Sequence, residues 1–268
     1  MTLRKLPNVG VRAAVLWAGL AIPLGAADSA PPLPFSPGET LTYDVTWSIF
    51  PAGEVTATLK RAEGRSPESY EVVTRAQSQG FVSLLYKVEN EFHSVFDPRT
   101  LCSQEIHKKV NEGWRHKDTR IVFNNARQVA VLDEVDLSKS DAPRKHAENE
   151  IPPCVTDIVT AFYYVRRQPL HVGEQVQLPI NDGAKTYDVT VEVQAREQIQ
   201  TPLGTRFAFR VEPKVFGGLY KRKGRMLIWF SDDGQRLPLR IKASMTLGTI
   251  TGTLKSISPS PASNAASR

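Results

Sequence analysis

The feature that most constrains the fold is a strict alternation of apolar and polar residues over residues 39–49. The apolar positions of this stretch share one parity: Leu41, Tyr43, Val45, Trp47 and Ile49. Because a β-strand points successive side chains to opposite faces, the pattern predicts a strand with one buried and one exposed face. Similar alternation recurs at residues 187–193 and 239–247. We therefore predict a mainly β protein with an antiparallel curved sheet or a barrel-like fold.

Three segments depart from this alternation. Residues 81–88 carry apolar side chains at helical spacing, which predicts one or two helical turns. A central α-helix is expected over residues 156–167, with Thr156 as its N-cap residue and basic residues in its last turn. Residues 133–150 are charged and lack apolar periodicity, which predicts an exposed loop. Short strings before the helix are echoed after it, so we expect two related halves joined through one central α-helix.

Residues 1–27 have the features of an export signal. Three basic residues, Arg4, Lys5 and Arg12, introduce an apolar run that is too short to make a good membrane anchor. Small residues precede the expected cleavage point, which is after Ala27 or one residue earlier. The mature protein is therefore expected to be periplasmic or secreted.

The mature chain is expected to form a single β-rich domain over residues 28–257. The tail that follows, residues 258–268, is rich in Ser, Ala and Pro and is expected to be disordered. After residue 27 the chain carries 31 basic and 28 acidic side chains, a net charge of +3. This balance argues against nucleic acid as a partner, because nucleic-acid binders concentrate basic charge on one face.

Cys102 and Cys154 are the only cysteines of the chain. In an exported protein they are expected to form a disulfide, the alternative being two separate buried thiols. Neither cysteine is near the cleavage site, which argues against a lipoprotein. Cys102 also lies close to His107 in the sequence, but the two have opposite parity on a strand and should face different sides. We therefore expect no metal site there.

Sequence motifs of common enzyme classes are absent. The chain has no G-x-S-x-G, H-E-x-x-H, G-x-G-x-x-G or C-x-x-C motif and no P-loop. No catalytic residue and no cofactor is therefore assigned, and a non-catalytic role is favoured.

Two groups of residues are candidates for ligand binding. The first is a basic run with flanking aromatic residues: Tyr220, Lys221, Arg222, Lys223, Arg225 and Trp229. This run is either a solvated hairpin tip or a contact for anionic lipid head groups or cell-wall polymer. The second group is Trp47 and Val189, whose strands either line a cavity for an apolar ligand or belong to a filled core.

Three strings of residues occur in order along the chain and resemble one known family. They are Gly38-Glu39-x-Leu41-x-Tyr43-x-Val45-x-Trp47, Ile151-Pro152-x-x-Val155-x-Asp157 with Tyr163-Tyr164-x-Arg166, and Ile228-Trp229-Phe230-Ser231-Asp232-Asp233 up to Pro238. As a set they resemble the exported bacterial family catalogued as domain of unknown function 3108, over about residues 35–256. The resemblance implies an envelope location and a mostly β fold. It supplies no catalytic residues.

These observations favour a non-catalytic protein of the cell envelope. It would bind an amphipathic or lipid-like ligand, or another envelope component, and would touch a membrane surface without being integral to it. Two alternatives stay open. One is a hydrolase of envelope polymers, which would need a cleft with paired carboxylates. The other is a structural or assembly factor that binds an envelope protein partner along a sheet edge.

Overall fold

The computed structural model describes residues 2, 32–65, 68–215, 224–246 and 248–258. The helices in these ranges are α1 (Gly80–Leu85) and α2 (Thr160–Arg167). The strands are β1 (Thr40–Trp47), β2 (Phe50–Arg61), β3 (Tyr70–Ser78), β4 (Glu89–Phe96), β5 (Ser103–Glu112), β6 (Arg115–Asn124), β7 (Val129–Asp136), β8 (Lys145–Glu150), β9 (Gln175–Asn181), β10 (Thr186–Thr201), β11 (Gly204–Val215), β12 (Arg225–Ser231), β13 (Pro238–Met245) and β14 (Gly248–Ser258). The signal peptide and most of the tail expected from the sequence lie outside the described residues.

The strands form one antiparallel sheet in the order β8-β7-β6-β5-β4-β3-β2-β1-β14-β13-β12-β11-β10-β9. Each strand pairs with the strands next to it in the chain, except that β8 does not pair with β9, and β1 also pairs with β14. The sheet therefore consists of two meanders, β1–β8 and β9–β14, with α2 in the segment between them. The predicted mainly β, curved antiparallel sheet is confirmed.

The sheet curves until its two outer strands approach each other without pairing. Asn149 of β8 donates a hydrogen bond to the carbonyl of Gly183, at 2.8 Å, in the turn after β9. Asn181 of β9 donates back to the Asn149 side chain, also at 2.8 Å. The result is a sheet that is not closed, with its outer strands linked by side chains. Among the described residues, neither helix is long and apolar enough to cross a bilayer.

Helix α2 lies against the inner face of the sheet and fills one end of the interior. Tyr163 packs edge-on against Phe35, with ring centroids 4.9 Å apart, and lies 5.6 Å from the ring of Phe96. On its other side the helix packs Val165 into a buried cluster with Val189 and Val191 of β10. Three of the four apolar clusters in the described part of the chain contain residues of α2 or of the segment that enters it.

The segment that enters α2 is fixed by a disulfide and a buried carboxylate. The disulfide expected from the sequence is present, and it joins Cys102, before β5, to Cys154. The fully buried Asp157 accepts hydrogen bonds from the hydroxyls of Ser94 and Ser103, both at 2.7 Å. It also accepts one from the hydroxyl of Thr160 at 3.0 Å. These bonds tie the start of the helix to β4 and β5.

The end of α2 is fixed by a buried ion pair. The Arg166 guanidinium donates to both carboxylate oxygens of Glu39, at 2.6 and 2.8 Å. It also donates to the carbonyls of Pro34 at 3.0 Å and Gln235 at 3.2 Å. One arginine thus links the helix to the chain entering β1 and to the turn between β12 and β13.

Two local expectations were wrong. The helix begins at Thr160 and not at Thr156, because the Thr156 hydroxyl donates to the carbonyl of Pro179 and its backbone bridges to β9. Asp157 instead accepts the free backbone N–H groups at the helix start. The expected loop over residues 133–150 contains the end of β7 and all of β8. β8 is a charged edge strand, which is why it lacks an apolar pattern.

Candidate functional site

On the inner face of the sheet, the exposure of the side chains increases with distance from α2. Near the helix its side chains are at most 2% exposed, as at Leu41, Leu59, Ile106 and Leu254. Further along the same strands the inner positions become half-buried, and several are small. These half-buried inner residues, here called the open half, are Val45, Ala76, Phe92, Val110, Ala243 and Gly252. Because α2 fills only one end of the interior, this second end is accessible to solvent.

Exposed apolar side chains cluster at one edge of the sheet, the edge at which the open half ends. Of the fifteen large hydrophobic residues exposed in the described part of the chain, eleven lie here. They belong to the connections β1–β2, β3–β4, β5–β6, β7–β8 and β13–β14 or to the strand ends beside them. This apolar rim consists of Trp47, Ile49, Phe50, Phe81, Leu84, Leu85, Tyr86, Trp114, Leu137, Met245 and Ile250.

Neighbouring connections of the rim touch each other. The rings of Tyr86 and Trp114 meet edge to face at 6.1 Å. Gly113 has a positive φ, and a Cβ there would lie 2.8 Å from the Tyr86 ring. Gly248 likewise has a positive φ, and its Cβ would lie 2.7 Å from the indole nitrogen of Trp47. Glycine is therefore required at both places, and these contacts join the β3–β4 connection to the β5–β6 connection and the β13–β14 connection to the end of β1.

The residues that the sequence suggested for ligand binding lie in different environments. Trp47 lies on the rim. Val189 is 3% exposed and packs in the cluster around α2, at the filled end of the interior. Trp229 is also buried, and its indole N–H donates to Glu197 at 2.6 Å. The structure thus brings Trp47 alone of these three to the open end.

The basic run lies mostly outside the described residues, which include neither Tyr220 nor Lys221, Arg222 and Lys223. Arg225, at the start of β12, is described and pairs with Ser244 of β13, next to the rim residue Met245. Its guanidinium donates to Glu212 at 2.7 Å. That hydrogen bond and those from Lys214 and Gln194 outweigh the effect of burial and lower the pKa of Glu212 to about 2.

A polar groove lies on the outer face of β2–β5. In it the two ring nitrogens of His93 contact carboxylate oxygens of Glu71 at 2.6 Å and Glu91 at 2.7 Å. Burial alone would raise the pKa of Glu71, but hydrogen bonds from His93 and Lys60 lower it. Hydrogen bonds from His93 and Arg75 lower the pKa of Glu91. A glycoside hydrolase needs a carboxylic acid with a raised pKa, so these carboxylates do not fit the hydrolase alternative.

No cluster of metal-ligating side chains is found among the described residues. The disulfide engages Cys102, the cysteine that lies close to His107 in the sequence. Of the histidines near it, His107 contacts Asp118 at 2.8 Å and His116 contacts Asn111 at 3.0 Å.

Sequence reasoning did not find the rim or the open half. The only local signal for the rim is apolar pairs in turn positions, such as Ile49-Phe50 and Leu84-Leu85. Recognising one surface in them requires the strand order, which places alternate hairpins of an antiparallel meander on the same edge.

Comparison with solved structures identifies one with a similar fold. The chain is similar to a beta-barrel-like protein of domain of unknown function DUF1849 from Brucella abortus, at 10% identity and a TM-score of 0.53, with 82% of this chain and 96% of that chain covered. A putative exported protein with YmcC-like fold from Bacteroides fragilis gives 10% identity and a TM-score of 0.37, covering 85% and 98%. No curated protein sequence matches the chain. The family model described as protein of unknown function (DUF3108) matches residues 42–255, and the chain therefore belongs to that family.

Proposed function

We propose that the protein is a non-catalytic component of the cell envelope that binds an amphipathic, lipid-like molecule in the open half of its interior. One observation carries this proposal: the inner face passes from fully buried beside α2 to half-exposed beyond it, and there it meets the apolar rim. The aliphatic part of the ligand would lie along the open half, and the rim would be its route of entry.

The physical reason is the cost of leaving apolar surface in water. Soluble proteins rarely expose a contiguous apolar patch of this kind unless something binds there. Burial contributes about 0.8 kcal/mol per CH₂ group, so a ten-carbon chain contributes up to about 8 kcal/mol before the costs of association. The small residues Ala76, Ala243 and Gly252 would leave room for such a chain, since a Cβ at Gly252 would have no neighbour closer than 4.0 Å.

Support for an envelope location comes from the disulfide between Cys102 and Cys154. Disulfides persist in oxidising compartments such as the periplasm and are rare in the cytosol. The expected signal peptide at residues 1–27 agrees with this location.

A substitution inside the sheet tests the proposal. Gly252 faces the interior, and a Cβ there would have its nearest neighbour at 4.0 Å, the Cβ of Tyr43. Gly252→Leu should therefore fold while it fills part of the open half. We expect it to weaken binding of the fluorescent probe 11-(dansylamino)undecanoic acid at least tenfold in a fluorescence titration.

The matched control is Thr253→Leu, which places the same leucine side chain on the opposite face of the same strand and should bind the probe like the unsubstituted protein. Thermal unfolding of both variants verifies the fold. Unchanged affinity in Gly252→Leu, or no binding by the unsubstituted protein, would contradict the proposal.

A further inference from the structure

Lys108 is a charged residue on the inner wall near the open half, where the neighbouring inward positions of β6 and β7 include Thr119, Lys117 and Glu134. It lies on β5 with the same parity as Ile106, which is 1% exposed, so its side chain points to the interior. Its cross-strand neighbours are Phe92 on β4 and Thr119 on β6. Lys108 is half-buried and makes no hydrogen bond or ion pair with any residue that the structure describes.

The acidic groups nearest to Lys108 are engaged elsewhere. Glu134 accepts hydrogen bonds from Lys117 at 2.7 Å and from the Thr119 hydroxyl at 3.1 Å. Asp182 accepts from the Tyr187 hydroxyl at 3.2 Å and from backbone N–H groups of its own turn.

Asp157, the third of these acids, is saturated by the hydroxyl and backbone donors at the start of α2. Burial has the largest influence on the pKa of Lys108 and lowers it, whereas the charges of these three carboxylates raise it from a distance. The ammonium group therefore lacks a direct anionic partner.

The opposite wall of the open half is apolar and uncharged. The inner positions of β12–β14 there are Met226, Ile241, Ala243, Ile250 and Gly252, and none of them carries a charge. The site is thus amphipathic, with an uncharged apolar wall and an ammonium group facing it.

We propose that Lys108 binds the anionic head group of the ligand, a carboxylate or a phosphate, while the ligand's single aliphatic chain lies on the apolar wall. This inference rests on the proposed function and makes it specific, because it names the charge of the ligand. An anionic head group supplies the missing partner of the ammonium group, and charge-assisted hydrogen bonds are the strongest kind available to it.

Calorimetric titration with three probes of equal chain length tests this inference: decanoic acid, decyl phosphate and decan-1-ol. The unsubstituted protein should bind at least one of the two anionic probes about tenfold more tightly than the alcohol. The comparison of carboxylate with phosphate identifies the head group. Lys108→Met should lose this preference for the anion and keep its affinity for the alcohol, whereas Lys108→Arg should retain the preference.

The control is Lys109→Met, at the next position of the same strand. Lys109 points to the outer face and is exposed, so this variant should bind all probes as before. Thermal unfolding confirms that each variant folds. Equal binding of acid, phosphate and alcohol, with no effect of Lys108→Met, would overturn the role of Lys108 and leave the proposed function intact. No binding of any probe by the unsubstituted protein would overturn both.

Discussion

Removal of the Arg166 charge should destabilise the protein more than removal of any other single basic side chain described. The side chain is 1% exposed, and its guanidinium is bound by the Glu39 carboxylate and by the carbonyls of Pro34 and Gln235. Arg166→Met keeps most of the aliphatic volume but leaves the Glu39 carboxylate buried without a counter-ion. Breaking one side of a buried ion pair costs about 3–5 kcal/mol, because the remaining charge stays desolvated.

The assay is urea unfolding at pH 7, followed by circular dichroism. For a domain of this size the expected loss corresponds to a midpoint shift of about 1–2 M. The double variant Glu39→Gln with Arg166→Met removes both charges and should recover part of the loss. Arg167→Met, one residue further along, should cost less than about 1 kcal/mol. A loss below about 1 kcal/mol for Arg166→Met, or strict additivity of the two single changes, would refute this explanation of how α2 is held.

Two further predictions concern the disulfide and the ion pairs near β12. Cys154→Ser opens the link across a sequence separation of 52 residues and should lower the free energy of unfolding by about 2–4 kcal/mol; an unchanged urea midpoint would contradict this. Glu212 has a lowered pKa, about 2, so its contribution is present above its unfolded pKa near 4.5 and is lost as the pH falls toward 2. Glu212→Gln should therefore cost about 2 kcal/mol at pH 7, and this difference should disappear near pH 2 in unfolding experiments; a pH-independent difference would refute it.

The sequence predicted the sheet because alternation is the direct consequence of strand geometry. It failed at β8, where the strand Lys145–Glu150 is charged on both faces and pairs on one side only. It placed the helix start four residues too early, because Thr156 is a good N-cap residue in isolation but is engaged by β9.

The candidate site was less predictable for a different reason. The open half depends on how far α2 reaches into the interior, and the rim depends on which hairpins share an edge. Lys108 is a charged residue at a position of its strand where the alternation would place an apolar one. A pattern of apolar residues alone therefore does not identify it as inward-facing. These properties arise from strand order and packing, which local sequence does not contain.

Native mass spectrometry of the protein purified from its own cell envelope tests the central claim most directly. The account predicts a population heavier than the chain by the mass of one small amphipathic molecule. That molecule should carry an acidic head group and should be lost in Gly252→Leu. A single species with the mass of the bare chain, from protein extracted without detergent or organic solvent, would contradict ligand binding in the open half.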